Sequence, residues 1–277
     1  MINNFDYKVN LFMTSYQSDI SDKDWQKVEP HIPEPKTNRG RKREHALRLI
    51  YNAIFYVLRS GCQWRMMPHD FPPWSTVYHY FRLWRLNGIW EQMNVALKSE
   101  LRIAAGRQPE PSAAVIDSQS VKTTETRGVR GYDAGKKIKG RKRHILVDVM
   151  GLMLMVVVHA ADIQDRDGAK LVMGKYIGKS SRMKLIWADG GYAGKLIGWI
   201  QENCGWILEI VKRSDDVQGF KVLPHRWVVE RTFGWLGRYR RLSKDYEGLP
   251  ESSESMIYAA MTHLMIRRLS KKQSLKT

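Results

Sequence analysis

The chain is poor in cysteine, in long apolar runs and in acids. Its two cysteines, Cys62 and Cys204, stand far apart without metal-ligand spacing. That excludes a disulfide scaffold or a cysteine-rich zinc site and suits two bland thiols in a reducing compartment. The longest apolar run, Leu152 to Val158, is far too short to span a bilayer. The N-terminus, MINNFDYKVNLFM, lacks a basic segment followed by an apolar one, so no signal peptide is expected. A soluble cytoplasmic protein with no membrane partner follows as the expectation. Acids are outnumbered: 28 Asp and Glu stand against 46 Lys and Arg, for a net charge of +18. An imbalance of that size calls for a polyanionic partner, nucleic acid before a membrane surface. With 43% hydrophobic residues over 277 positions, the chain is not disordered and can fill one large domain or two unequal ones.

Against this scarcity, one acid stands out. Glu230 is the only carboxylate in HRWVVERTFGWLGRYRRL, residues 225–242, among five arginines and two tryptophans. At 100° per residue the stretch reads as one helix with two faces. Val228, Val229, Thr232, Trp235, Leu236, Tyr239 and Leu242 form a core stripe, while Arg226, Glu230, Gly234, Gly237 and Arg241 form the other face. Each helical glycine costs about 1 kcal/mol relative to alanine, and two of them beside the acid leave a bare floor for an anionic ligand. A solvated charged face with tolerated glycines explains the same residues equally well.

In chain order, residues 1–20 read as a loose arm. A short helix over 22–29 is capped by Ser21, and Pro30, Pro33 and Pro35 end it. Arg39, Arg41, Lys42 and Arg43 form a basic loop, either a solvated turn or a phosphate contact. Amphipathic helices follow over 45–59, 75–86 and 89–105, the second carrying Arg82 and Arg85. Residues 21–106 thus suit a helix-turn-helix-like DNA-binding domain, or a plain helical scaffold. GRQPEPS, 106–112, is a domain boundary. Beyond it the pattern turns strand-like. A strand over 113–121 ends its apolar run at Asp117, and a basic loop carries six cations between Lys136 and Arg143. A hairpin pairs 144–149 with 152–159 about Met150-Gly151. Helix 169–177, strand 184–188, helix 195–202, strand 206–211 and a last helix over 253–269 complete a mixed α/β domain over 113–270.

Asp117 and Asp189 close buried strands, and Asp189 meets Gly190-Gly191. In an α/β sheet, ligands gather at strand ends. With Glu230, these acids suit a hard cation such as Mg²⁺, and two such ions suit in-line phosphoryl transfer. Turn capping explains both aspartates too. Asp148, Asp162, Asp165 and Asp167 compete as ligands, although Asp148 falls inside the hairpin and the others in a helix-start loop.

At these residues the chain resembles bacterial DDE-type insertion-sequence transposases, in particular insertion-sequence family five. IDSQSVKTTE, GYDAGKKIKGRKRHILVD, ADGGYAG and HRWVVERTFGWLGRYRRL carry the resemblance, with RSGCQWRMMP and WSTVYHYFRLW in the N-terminal half. The resemblance implies a ribonuclease-H-like catalytic domain with Asp117, Asp189 and Glu230 as triad. They would hold two Mg²⁺ ions, with Mn²⁺ able to substitute. It further implies DNA contacts, expected at Arg226, Lys122, Lys136, Lys137, Lys139, Arg141, Lys142, Arg143, Arg238 and Arg241. The family's tyrosine and lysine positions around the glutamate are Leu223 and Gly237 here, with Arg238 or Arg241 available in place of the lysine. The implied activity is hydrolysis at the 3′ ends of an element's inverted repeats and transfer to target DNA. The implied agent is a homodimer or larger assembly on double-stranded DNA, in the bacterial cytoplasm at the nucleoid. A nuclease without strand transfer and a repressor without catalysis are the alternatives.

Overall fold

Ser21 opens the first helix, α1 (Asp22–Val28), through a capping box. Its Oγ accepts from the Asp24 amide, and the Asp24 carboxylate accepts from the Ser21 amide at 3.3 Å. The computed structural model describes residues 16–33, 44–124, 128–211 and 226–274. Most of the predicted arm and the Arg39–Arg43 loop lie outside them. Helix α2 (Leu47–Ser60) ends at Gly61, whose φ of 73° is the left-handed stop that glycine adopts without a Cβ penalty. Helices α3 (Trp74–Leu86) and α4 (Ile89–Ala104) are joined by the short Asn87-Gly88 turn. The α2–α3 link is longer, running over 61–73 through a 3-10 turn at Trp64–Met66. A helix-turn-helix keeps its tight turn between its two helices; here the tight turn joins α3 to α4.

Among the described residues, the second half forms a six-stranded sheet. Its strands are β1 (Ala113–Lys122), β2 (Gly131–Asp133), β3 (Ile138–Asp148), β4 (Met153–Ala160), β5 (Leu185–Ala188) and β6 (Ile207–Ile210). The order is β2-β3-β1-β5-β6, with β4 on the β3 edge that β2 also uses. β1, β3 and β4 pair antiparallel, whereas β5 runs parallel to β1 and β6 parallel to β5. The predicted hairpin turns at Met150-Gly151. The predicted basic loop does not: β3 already starts at Ile138, so most of its cations are strand residues. β1 likewise continues past Asp117 to Lys122.

Strand alternation gives the sheet two buried faces. Ala114, Ile116 and Leu146 pack under α5 (Asp165–Tyr176) and α6 (Lys195–Cys204). Val115, Ile145 and Val147 pack on the other face with α7 (Arg226–Leu236), α8 (Pro250–Ser274) and α2–α4. That second cluster is continuous from the N-terminal helices to the sheet. The Gly106–Ser112 boundary therefore separates helical from stranded sequence but not two cores. α8 is the reason: His263 meets the Phe55 ring at 4.7 Å, and Ser270 Oγ donates to Asp24 at 2.5 Å. Among the described residues, no helix is long and apolar enough to cross a membrane.

The joint between the halves is also polar. Arg102 of α4 and Asp148 at the end of β3 form a buried ion pair. Asp148 Oδ1 also accepts the amides of Met150 and Leu152 at 2.9 and 2.8 Å, closing the hairpin. Removing one partner of a buried pair leaves an uncompensated charge, worth about 3–5 kcal/mol. Arg102→Ala is expected to lower the unfolding free energy by that amount in urea titration, whereas a joint Arg102→Leu, Asp148→Asn change recovers part of it.

Candidate active site

The two aspartates are brought together by strand register. Ala113, Ala114 and Val115 of β1 pair in parallel with Leu185, Ile186 and Trp187 of β5. Two residues further along each strand stand Asp117 and Asp189, level with one another. They also share a face. Asp117 lies opposite Ile145, whose side chain joins the cluster under α7, and Trp187, two before Asp189, packs against the same cluster. Each carboxylate is half-buried and accepts a local amide: Asp117 that of Ser118 at 2.7 Å, Asp189 that of Gly191 at 2.8 Å. Asp189 thereby caps the 3-10 turn Gly190–Tyr192, as its strand-end position suggested.

Glu230 reaches this face on α7, which packs on β1. Val228, Val229, Thr232 and Leu236 are buried, Trp235 is half-buried and Glu230 is exposed, matching the predicted faces. The helix docks on the hairpin turn, where Thr232 Oγ1 donates to Gly151 O at 2.9 Å and Arg231 to Met150 O at 3.1 Å. A Cβ at Gly151 would stand 2.7 Å from Thr232 Oγ1, and its φ is 78°, so no other residue fits that contact. The predicted helix is shorter than 225–242. It stops at Leu236, and Gly237 lies in the turn that follows. Gly234 remains on the exposed face with open space where a side chain would stand. Among the described residues, no group of three or more histidines, cysteines and acids lies close enough to hold a metal ion.

The predicted cations divide sharply. Arg141, Lys142, Arg143 and Arg241 are buried, contrary to their expected place on the surface. Strand burial forces their nitrogens to find internal acceptors. Arg141 donates to the carbonyls of Val129, Glu247 and Gly248, and Arg143 to those of Leu242 and Lys244. Burial pulls Arg143 down to about 10. Arg241 pairs with Glu247 at 2.7 Å. Lys142 points to the opposite face and bonds Asp165 at 3.0 Å and Ile163 O at 2.8 Å. Lys122, Lys137, Lys139, Arg82 and Arg238 are exposed, and Arg85 is half-exposed. Lys136 is exposed with its Nζ on Ser118 O at 3.1 Å. Arg226 begins α7, its side chain outside the described residues, as are Arg39, Arg41, Lys42 and Arg43.

Behind the aspartates lies a polar network that sequence reasoning missed. Ser118 Oγ donates to Asp165 at 2.7 Å. The Tyr192 hydroxyl meets His144 Nε2 at 2.7 Å, and His144 Nδ1 stands 3.3 Å from His159. The available signal was two histidines inside otherwise apolar strands. Burial, then the neighbouring His159, lowers His144 to about 3, and burial followed by Arg267 and Arg59 lowers His263 to about 4.

Comparison with known proteins agrees on one lineage. Residues 20–94 match a family model described as "Putative transposase of IS4/5 family", and residues 108–265, more than half of the chain, match "Transposase DDE domain". Over 124 residues the chain is 32% identical to "Insertion element IS402 uncharacterized 16.2 kDa protein" of Burkholderia cepacia, covering 43% of this chain and 78% of that protein. It is 30% identical over 115 residues to "Putative transposase for insertion sequence element IS402" of the same organism. That match covers 39% of this chain and spans about half, 54%, of the relative.

Two buried histidines, His144 in this network and His263 on α8 against Tyr239, give the fold a pH signature. Their folded pKa values lie below the unfolded 6.5, so the unfolded chain takes up protons that the folded chain excludes. Stability is therefore complete above about pH 6.5 and falls as pH drops toward 3 to 4. Thermal melts from pH 7.5 to 4 should show the midpoint falling over this window. His144→Gln is expected to flatten the slope even though it lowers the midpoint at pH 7.5.

Proposed function

Because the chain belongs to the DDE-domain insertion-sequence transposases, we propose that it cleaves and joins DNA at the ends of its own element. In this reading it binds the terminal inverted repeats and hydrolyses a phosphodiester at each 3′ end, freeing a 3′-hydroxyl. That hydroxyl then attacks a phosphodiester of target DNA, and the strand it cuts leaves with its own hydroxyl. The observation that carries the reading is the level pair Asp117 and Asp189 on adjacent parallel strands, with α7 and Glu230 over the same face. The strand order, three antiparallel strands followed by two parallel ones, supports a ribonuclease-H-like domain.

The three side chains offer oxygen donors alone, which fits a hard cation. Asp117 and Asp189 would hold it between their strands, and Glu230, carried by α7 over the same face, would complete the set. Two Mg²⁺ ions, or Mn²⁺ in their place, supply activation of the attacking oxygen and charge neutralisation at the leaving one when bound. The chain's own cations position the DNA. Lys122, Lys137, Lys139 and Arg238 serve this on the catalytic half, with Arg226 and the Arg39–Arg43 loop. Arg82 and Arg85 on α3 would contact the repeat. Two ends must meet, so the working form is a homodimer or larger assembly, acting at the bacterial nucleoid.

The test uses a labelled duplex carrying the repeats that flank the gene, with Mg²⁺ or EDTA, beside Asp117→Asn, Asp189→Asn and Glu230→Gln. Nicking at the repeat boundary and joined products are expected with Mg²⁺. Each variant should lose at least 100-fold in rate while keeping repeat affinity, consistent with removal of a group acting on the transition state. Nicking without joining would make the protein a nuclease instead. Repeat binding with no cleavage in any metal would leave a DNA-binding protein.

A further inference from the structure

A second built feature lies along β1 beyond the acids. Where β1 ends, it and the β2–β3 hairpin enclose a groove of about 440 Å³. Gly140 makes this possible. A Cβ there would stand 2.0 Å from Val121 O and 2.9 Å from Thr123 N, so only glycine lets the end of β1 lie against β3. The rim carries Lys122, Arg130, Lys137 and Lys139, all exposed, and none pairs with an acid among the described residues. Thr123 and Thr124 add hydroxyls to the wall. Tyr132 pairs directly across from Lys139 and is 54% exposed in the middle of these cations. Lys137 has a φ of 53°, and it is the one non-glycine residue with positive φ among the described residues. A lysine kept where glycine would be relaxed suggests that its side chain has a use.

Resting on the transposase reading, we propose that this groove holds an unpaired DNA strand beside the cleaved bond. Four cations and two hydroxyls suit consecutive phosphates. An exposed ring amid cations suits a base whose face is free, which paired DNA does not present. A concavity of this size takes a nucleotide-sized unit rather than a duplex. Five residues of β1 separate Asp117 from Lys122, about 16 Å at strand rise. The groove thus lies a few nucleotides from the acids, and by strand alternation Lys139 and Tyr132 share their face. A nick leaves the flank base-paired, so the groove acts once that flank has been melted and keeps it from re-annealing.

The experiment measures binding in EDTA by fluorescence anisotropy, with three DNAs. They are the paired repeat, the same repeat with an unpaired six-nucleotide flank, and a single strand of unrelated sequence. Wild type should favour the unpaired flank over the paired duplex. Tyr132→Ala should lose about 5- to 150-fold on the flanked and single-stranded DNAs, the worth of one stacked base, and little on the duplex. Removing Lys122, Arg130, Lys137 and Lys139 together should lower the salt slope by about 3 on the two unpaired DNAs, at about 0.7 per cation. Lys137→Gly should melt no lower than wild type yet bind the unpaired DNAs more weakly, separating use from folding. Equal losses on paired and unpaired DNA would overturn the proposal, as would no preference for the unpaired flank. Variant-sensitive binding to the unrelated single strand without recognition of the repeats would keep the groove and overturn the transposase reading instead.

Discussion

Three consecutive cations inside one strand are the constraint on which the sheet-bearing half depends. Arg141, Lys142 and Arg143 of β3 are buried, and burying a charge is tolerable only where it is paired or fully hydrogen-bonded. Alternation sends the first and third to one face and the second to the other. Arg141 and Arg143 bind carbonyls between Leu242 and Gly248, and Arg141 also stands 3.4 Å from Asp245. That segment is the later part of the connection between α7 and α8. Lys142 reaches the other way to Asp165, which also holds Ser118, the neighbour of Asp117. One strand therefore ties the helix bearing Glu230 to one side of the sheet and steadies the backbone beside Asp117 from the other. A nonpolar strand could pack equally well, but it would not thread a loop through a set of fixed carbonyl positions.

The placement of the acids then needs little else. Parallel pairing sets Asp117 level with Asp189, and the pleat turns both toward α7. The aspartates stand at the ends of paired strands with amides on their carboxylates, whereas Glu230 lies on the exposed side of a short helix. The tryptophans of α7 stiffen that helix, since the Arg231 guanidinium lies over Trp227 at 4.2 Å and over Trp235 at 4.7 Å.

Much of this was legible in the sequence. Hydrophobic period located most helices and strands, though it missed β2, began β3 six residues late and ran α7 six residues too far; Ser21, Gly61 and Met150-Gly151 marked ends that the fold uses. Asp117, Asp189 and Glu230 stood out because each occupied a place where its neighbours were of another kind. What misled was charge. Lys136 to Arg143 reads as a solvated loop, because nothing local reveals that carbonyls from residues 129 and 242–248 will meet those guanidinium groups. The same blindness placed Arg241 beside Glu230, although Glu247 and Cys62 O hold it inside. The His144–Tyr192 network was hidden for a related reason: its partners are 48 residues apart, and only the fold joins them. Boundary residues 106–112 marked a change of pattern, but a shared core is a tertiary fact that pattern does not carry.

That shared core bears on how the chain is made. The N-terminal helices complete their interior with α8, whose Met256, Ile257, Ala260 and Met265 lie in one cluster with Tyr51, Phe55 and Trp90. A chain emerging from the ribosome presents those aromatic residues long before Pro250 has been synthesised. The N-terminal region therefore gains its native packing only once α8 has been made. Until then its aromatic residues face an open apolar interior, and a chain cut short of α8 would keep that interior open to proteases.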